Sequence, residues 1–241
     1  MNRIQSIRPS HIKISTRKPE SADEYVPTEV ECFFDNRRLV AWADVLFLCC
    51  LFSHLPKVCA DLCSHLSKHC LVYSFISAVP VNRLVSLLRH DFILKPQYEV
   101  VACDAADVWL SCPHLTTALT DASLVEAACP LSTKVSCGIT LSLNWMCAVL
   151  YSVLNICTSA GLGSGETLSL MNNMFKDSCP NKLQLNAQSF ISSSHAAIFT
   201  PDKPFSWISL TDAQTKETPL LRFLSSSKSL QQFSNPSLRD Q

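Results

Sequence analysis

The chain has 241 residues, no formal net charge at pH 7, and 47% apolar against 17% charged residues. This composition predicts one large or two modest folded domains with a buried core, and it excludes a disordered chain. A chain without net charge has no general attraction to DNA, RNA or anionic lipid, so we expect no nucleic-acid partner.

The first hundred residues alternate between strand and helix patterns. Strands are predicted at 12–16, 30–34, 45–51, 71–79 and 92–101, and helices at 37–43, 55–68 and 81–90. Asp35 or Asn36 is expected to cap the first helix. The apolar run at 45–51 is typical of a strand buried on both faces. This alternation favours an open parallel α/β sheet, since each parallel link requires a crossover helix.

After about residue 105 the pattern becomes helical. Helices are predicted at 116–128, 138–159, 167–176 and 210–224, with Ser-, Asn- and Pro-rich connections beyond residue 178. We therefore expect an α/β domain at residues 1–104, an all-helical domain at 105–224 and a disordered tail at 225–241.

Residues 138–160 are strongly apolar, and no charged residue occurs between Lys134 and Glu166. The length alone would allow a membrane span. However, the segment carries polar side chains, among them Asn155 and Thr158, which are costly in lipid unless they are paired. We expect a helix buried on all sides, inside a domain or a dimer, and the membrane span is the alternative.

The 13 cysteines indicate free thiols rather than a disulfide scaffold. Their number is odd, and secreted disulfide scaffolds are usually shorter, with cysteines that pair. This favours a reducing compartment, and we expect a cytoplasmic location. A mitochondrial location stays open because the first eighteen residues contain five basic and no acidic residues, as transit peptides do.

The densest group of potential metal ligands lies between residues 59 and 70: Cys59, Cys63, His65, His69 and Cys70. Zinc accepts these residue types. Cys59 and Cys63, however, lie one helical turn apart in a leucine-rich segment, and a free cysteine behaves as a small hydrophobic residue. We expect a helix that faces a core here, and no metal site.

Two segments resemble pyrroline-5-carboxylate reductases. Residues 36–48, NRRLVAWADVLFL, are similar to that family's short Asn-led helix and buried strand, and residues 71–79, LVYSFISAV, to its next strand. The resemblance extends over residues 12–224 and is most specific in the first hundred. It implies a truncated Rossmann-type sheet, a helical domain that forms a homodimer, and NADP-dependent hydride transfer to a small imine or carbonyl compound, as in proline biosynthesis.

The glycine loop of such a cofactor site has no counterpart in the α/β region. The four glycines are Gly138, Gly161, Gly163 and Gly165. A Rossmann domain holds the pyrophosphate with a glycine turn between a strand and a helix. The glycines at 161–165 follow a helix instead, so we expect a helix end and a loop there.

We therefore expect this chain to begin inside or after the first crossover helix, through an alternative start, a splice form or an incomplete gene. We also expect it to bind NADPH weakly or not at all.

The adenosine end of the cofactor site has candidate residues. The turn after the first strand contains Ser15, Thr16, Arg17 and Lys18, whose hydroxyls and cations suit the 2′-phosphate of NADP. A solvated surface turn is the alternative. By resemblance, the other cofactor-binding residues are Asn36, Cys49, Cys50, Leu51, Ile76, Ser77 and Ala78.

The sequence does not identify catalytic residues or the substrate. Two functions stay open: an NADP-dependent reductase of a small molecule, and a catalytically inactive relative that acts as a binding or scaffold protein.

Overall fold

A computed structural model of the protein describes residues 7–22, 29–101, 138–175, 184–191 and 200–226. The chain divides into two compact units, residues 1–93 and 94–241. The predicted helix at 116–128 and the predicted tail beyond residue 226 lie outside the described residues.

The first unit alternates strands and helices, as predicted. The strands are β1 (Lys13–Ser15), β2 (Glu31–Phe33), β3 (Val45–Leu48), β4 (Leu71–Ser74) and β5 (Ile93–Leu94), and the helices are α1 (Asn36–Trp42), α2 (Leu55–Leu62) and α3 (Val81–Leu88). β1 and β2 form a parallel pair, while β3, β4 and β5 form a second sheet in that order, with β3 parallel to β4. The α/β fold class is confirmed.

The start of α1 follows from a local capping interaction. The Asp35 side chain accepts a hydrogen bond of 2.9 Å from the Arg38 backbone N–H. That group is one of the helix donors that have no partner within the helix. This capping was one of the two alternatives predicted from the sequence, and it fixes α1 directly after β2.

One face of the second sheet packs on the helices to form the core of the first unit. Its fully buried members include Leu46, Leu48, Leu55, Cys59, Leu62, Val72, Leu84, Leu88 and Ile93. Cys59 therefore confirms that the segment after residue 55 is a helix facing a core. α2 ends at Leu62, earlier than the predicted residue 68.

The opposite face of β3 is open. Val45 is 45% and Phe47 59% exposed, whereas Leu46 and Leu48 are buried. The prediction of a strand buried on both faces is therefore wrong. Side chains alternate across a strand, and the helices that the structure describes in this unit pack on the Leu46 side alone.

Three predicted strands are clearly shorter than expected. β3 ends at Leu48 rather than at residue 51, and β4 ends at Ser74 rather than at residue 79. The predicted strand at 92–101 is two strands, β5 and β6 (Tyr98–Val101), which are separated around Pro96. Proline has no N–H to donate to a strand ladder, so the interruption follows from the sequence.

The second unit is mostly helical but contains an antiparallel strand pair. β6 pairs with β7 (Gly138–Leu141), and the helices are α4 (Leu143–Ser159), α5 (Ser164–Phe175), α6 (Ala187–Phe190), α7 (Leu210–Thr215) and α8 (Pro219–Ser226). Residues 138–141 thus form a strand rather than the start of a helix. They contain a glycine and two β-branched residues, all of them weak helix formers.

α4 is the apolar helix expected from the sequence. It begins after Ser142, whose hydroxyl accepts a 3.2 Å hydrogen bond from the Trp145 N–H. The Thr158 hydroxyl donates to the Phe205 carbonyl at 3.2 Å, so this polar side chain finds a partner, as expected. Within the parts of the chain that the structure describes, no helix has both the length and the apolar character needed to cross a membrane.

Gly161 and Gly163 lie at a helix end and in a loop, as predicted, whereas Gly165 lies in the first turn of α5. Gly161, with φ of +73°, follows α4 in a left-handed conformation that favours glycine. The Gly165 N–H donates to the Pro201 carbonyl at 3.0 Å. At Gly163, an added Cβ would lie only 2.9 Å from the same carbonyl oxygen. The loop therefore depends on the close approach of two backbone segments.

Gly163→Ala is expected to lower the free energy of unfolding by about 1–3 kcal/mol, because its Cβ would collide with a backbone oxygen. Gly165→Ala is the matched control, since its Cβ would meet Pro201 at ordinary distances of 3.4 Å and more. Gly165 lies in α5, so alanine there should be neutral or stabilise by about 0.4–1 kcal/mol. Urea unfolding of both variants measures the difference. Equal stabilities would contradict the close approach.

Candidate functional site at the carboxyl ends of the strands

The predicted cofactor residues lie where the parallel strands of the first unit end. Ser15 is the last residue of β1, Asn36 opens α1 after β2, and Cys49 follows β3 directly. Ile76 comes two residues after the end of β4. In open parallel α/β sheets, ligands bind beyond the carboxyl ends of the strands. The structure thus places these residues on the side of each sheet that is suited to binding.

Three polar side chains form a hydrogen-bonded chain at these strand ends. The Ser15 hydroxyl donates to Asn36 Oδ1 at 2.9 Å, and Asn36 Nδ2 donates to Asp61 Oδ2 at 3.2 Å. The chain joins β1, α1 and α2, and it brings two predicted site residues into contact. Sequence reasoning missed Asp61, because nothing in its local pattern distinguishes it from a surface residue of α2.

The turn after β1 carries the cationic candidates. The Thr16 N–H still belongs to the strand ladder and donates to the Phe33 carbonyl at 2.9 Å. The next two residues, Arg17 and Lys18, are exposed. Exposed cations beside a hydroxyl group are suited to binding a phosphate.

Two other basic side chains near β1 form ion pairs with Glu31. Lys13 Nζ lies 2.8 Å from Glu31 Oε2, and Arg38 also pairs with Glu31. The hydrogen bond from Lys13 is the main cause that holds the pKa of Glu31 below its ordinary value. Because Lys13 and Glu31 begin their strands, this pairing lies at the opposite ends from Ser15. Arg17 and Lys18 are thus the basic residues that adjoin the end of β1.

The segment after β3 is open to solvent. Cys49 and Leu51 are exposed, and Cys50 is half-buried. Partial burial raises the pKa of both thiols, Cys49 and Cys50. A thiol with a raised pKa is protonated at neutral pH and is a weak nucleophile. These cysteines therefore offer surface and backbone groups to a ligand rather than covalent chemistry.

The segment after β4 is divided between the core and the surface. The Ile76 side chain belongs to the buried cluster, and its N–H donates to the Ser74 hydroxyl at 3.2 Å. Ser77 and Ala78 are exposed. Of these three candidates, Ser77 and Ala78 present side chains to a ligand, while the Ile76 side chain packs inside.

Cys59 and Cys70 are buried, and burial raises the pKa of each thiol to about 11. Among the residues that the structure describes, no three His, Cys, Asp or Glu side chains are grouped to hold a metal ion.

The residues present fit one end of NADP better than the other. Arg17 and Lys18, next to the Thr16 hydroxyl, have the donors and the positive charge that a 2′-phosphate needs. The Ser15 hydroxyl, by contrast, already donates to Asn36. The pyrophosphate needs a glycine turn, and the chain has no glycine before Gly138.

Comparison with known proteins shows what the chain is similar to. Residues 2–78 match the family described as NADP oxidoreductase, coenzyme F420-dependent. The chain is also 38% identical, over 232 residues, to NADP-dependent oxidoreductase domain-containing protein 1 of Mus musculus. The match covers 92% of this chain and 62% of that relative, so the chain spans about six-tenths of the relative's length. The predicted resemblance is confirmed: residues 2–78 are similar to the NADP oxidoreductase, coenzyme F420-dependent family, and most of the chain is similar to the mouse relative.

Proposed function

We propose that the protein takes part in the NADP-dependent reduction of a small imine or carbonyl compound, a reaction of the type that pyrroline-5-carboxylate reductases catalyse. The observation that carries this is the Ser15–Asn36 hydrogen bond at the end of β1, beside the exposed Arg17 and Lys18. The nicotinamide of NADP supplies the hydride when the cofactor is bound. The role of this chain is to bind and orient the adenosine end of the cofactor.

Each residue of this end has a distinct part in the proposal. Arg17 and Lys18 pair with the 2′-phosphate, and Arg17 can do so through two parallel hydrogen bonds. Asn36 orients the Ser15 hydroxyl by accepting its hydrogen bond. Asp61 is a positioning residue, because its bond to Asn36 Nδ2 keeps Asn36 Oδ1 turned toward Ser15.

The ligand 2′,5′-ADP tests this assignment, because it differs from 5′-AMP by the 2′-phosphate alone. We expect the whole chain to bind 2′,5′-ADP more tightly than 5′-AMP by calorimetric titration. Arg17→Ala should remove most of that preference, at a cost of about 1.5–3 kcal/mol for a charge-assisted contact. NADPH itself should bind weakly, because the pyrophosphate has no glycine turn in this chain.

Lys68→Ala is the matched control. Lys68 is exposed and precedes β4, so it lies at the amino end of that strand, away from the proposed site. Its loss should leave the preference for 2′,5′-ADP unchanged. A wild-type chain that binds both ligands equally would refute the assignment and favour the non-catalytic binding or scaffold function.

A homodimer through the helical unit is the partner that we propose. The observation that supports it is a set of exposed apolar side chains on α4 and α5: Met146, Ile156, Leu170 and Met174. Exposed apolar residues grouped on neighbouring helices are typical of interaction surfaces. Light scattering should give twice the chain mass for the wild type and a lower mass for Ile156→Asp. A wild type that stays monomeric at high concentration would contradict the dimer.

A further inference from the structure

Two threonines of the chain precede a proline, and they lie in contrasting surroundings. Of the 13 prolines, two follow a hydroxyl residue: Pro201 follows Thr200, and Pro219 follows Thr218. Thr200 is exposed, and so are the next four residues of its loop. Thr218 is 8% exposed, and its hydroxyl accepts a 3.2 Å hydrogen bond from the Leu221 N–H in α8. Of the two, Thr200 alone lies at the surface of the folded chain.

The residues after Thr200 match a recognition pattern of protein kinases. Pro201 follows directly, and Lys203 is the third residue after Thr200. A kinase pocket that selects proline offers no acceptor for a backbone N–H, and proline is the residue without that group. A basic residue at the third position forms a charge-assisted pair with an anionic group of such a kinase. Thr218 has the proline, but its third position is Leu221. The sequence pattern and the exposure thus select the same threonine.

The loop that carries Thr200 is docked on the start of α5. The Thr200 carbonyl accepts from the Lys203 N–H at 3.1 Å, which closes a turn with proline in its second position. The Gly165 N–H donates to the Pro201 carbonyl at 3.0 Å, and the Ser164 N–H donates to the Lys203 carbonyl at 2.9 Å. A kinase binds its acceptor segment as an extended chain, so these three hydrogen bonds have to open first. Phosphate transfer to Thr200 therefore depends on a local opening of this loop.

We propose that Thr200 is phosphorylated by a proline-directed protein kinase with ATP as the donor, and that docking of the loop on α5 limits the rate. The Thr200 Oγ forms a bond to the γ-phosphorus of ATP, and the bond from that phosphorus to the oxygen of the leaving ADP breaks. The hydroxyl proton passes to a carboxylate of the kinase. The loop then gains about −1.5 to −2 charges at pH 7. The inference goes beyond the proposed function and does not depend on it.

The test is incubation of the whole chain with an active cyclin-dependent kinase and MgATP, followed by mass spectrometry of the modified residues. We expect phosphate on Thr200 and none on Thr218, although both precede proline. Lys203→Ala should slow the transfer by about tenfold or more, because the charge-assisted pair with the kinase is lost. No phosphate on Thr200, or equal phosphate on the two threonines, would overturn the proposal. An unchanged rate in Lys203→Ala would contradict the assigned class of kinase.

Two glycine variants test the docking. The Cβ added by Gly163→Ala would lie 2.9 Å from the Pro201 carbonyl oxygen, so it pushes the loop away from α5. Phosphorylation of Thr200 should become about fivefold faster or more, because the open fraction of the loop rises. Gly165→Ala is the matched control and should leave the rate unchanged, since its Cβ would meet Pro201 at 3.4 Å. Equal rates in the wild type and Gly163→Ala would refute the docking limit. Phosphate on Thr218 in Gly163→Ala would refute it as well, because the whole unit would then be unfolding.

Discussion

Replacing Asn155 by alanine is expected to lower the free energy of unfolding by about 2–5 kcal/mol, because the two backbone groups of the half-buried Ile208 would lose their partner. Asn155 is fully buried on α4. Its Nδ2 donates to the Ile208 carbonyl at 2.7 Å, and its Oδ1 accepts from the Ile208 N–H at 3.0 Å. One amide thus satisfies both groups of a residue in the segment that leads into α7.

Asn144→Ala is the control for this prediction. Asn144 lies on the same helix but is only half-buried, so its loss should cost less than about 1 kcal/mol. Urea unfolding followed by circular dichroism measures both variants. If Asn155→Ala cost no more than Asn144→Ala, the two hydrogen bonds to Ile208 would not hold the second unit together.

Leu84→Ala should destabilise the first unit by about 2–5 kcal/mol, because it leaves a cavity in a packed core. Leu84 is fully buried on α3, among the side chains of α2 and the second sheet. Leu87→Ala removes the same atoms from the same helix at a half-buried position. That variant should lose ~1 kcal/mol, since only part of its apolar surface is removed from water.

Thermal and urea unfolding compare the two leucine variants. A larger loss at Leu87 than at Leu84 would mean that α3 presents a different face to the core. The ratio of the two losses is more informative than either value, because both variants share the same change in helix propensity.

The sequence was sufficient for the order of elements in the first unit. The β1 and β2 patterns, the cap at Asp35 and the helical spacing of α3 are local properties, and each forms where it was predicted. Ser15 and Asn36 were predicted as separate site residues, and the hydrogen bond between them was not predicted.

Features that depend on distant partners were not predictable in this way. Asp61 meets Asn36 across 25 residues, and no local pattern marks it. The apolar run at 45–51 shows no alternation, so it could not reveal that the Phe47 side of β3 is open. Similarly, β7 and α4 form one continuous apolar stretch, and the boundary at Ser142 depends on a capping hydroxyl.

The loose attachment of β1 and β2 has a consequence for binding. No residue of either strand is fully buried, and α1 holds the pair through Ser15, Lys13 and Arg38 rather than through an apolar core. Elements with so few buried contacts open at a lower free energy than the rest of a domain. A ligand that needs Ser15 and Arg17 in place therefore binds only the closed fraction of molecules. Its apparent dissociation constant is the intrinsic one divided by that fraction, and anything that closes the pair tightens binding without touching the ligand.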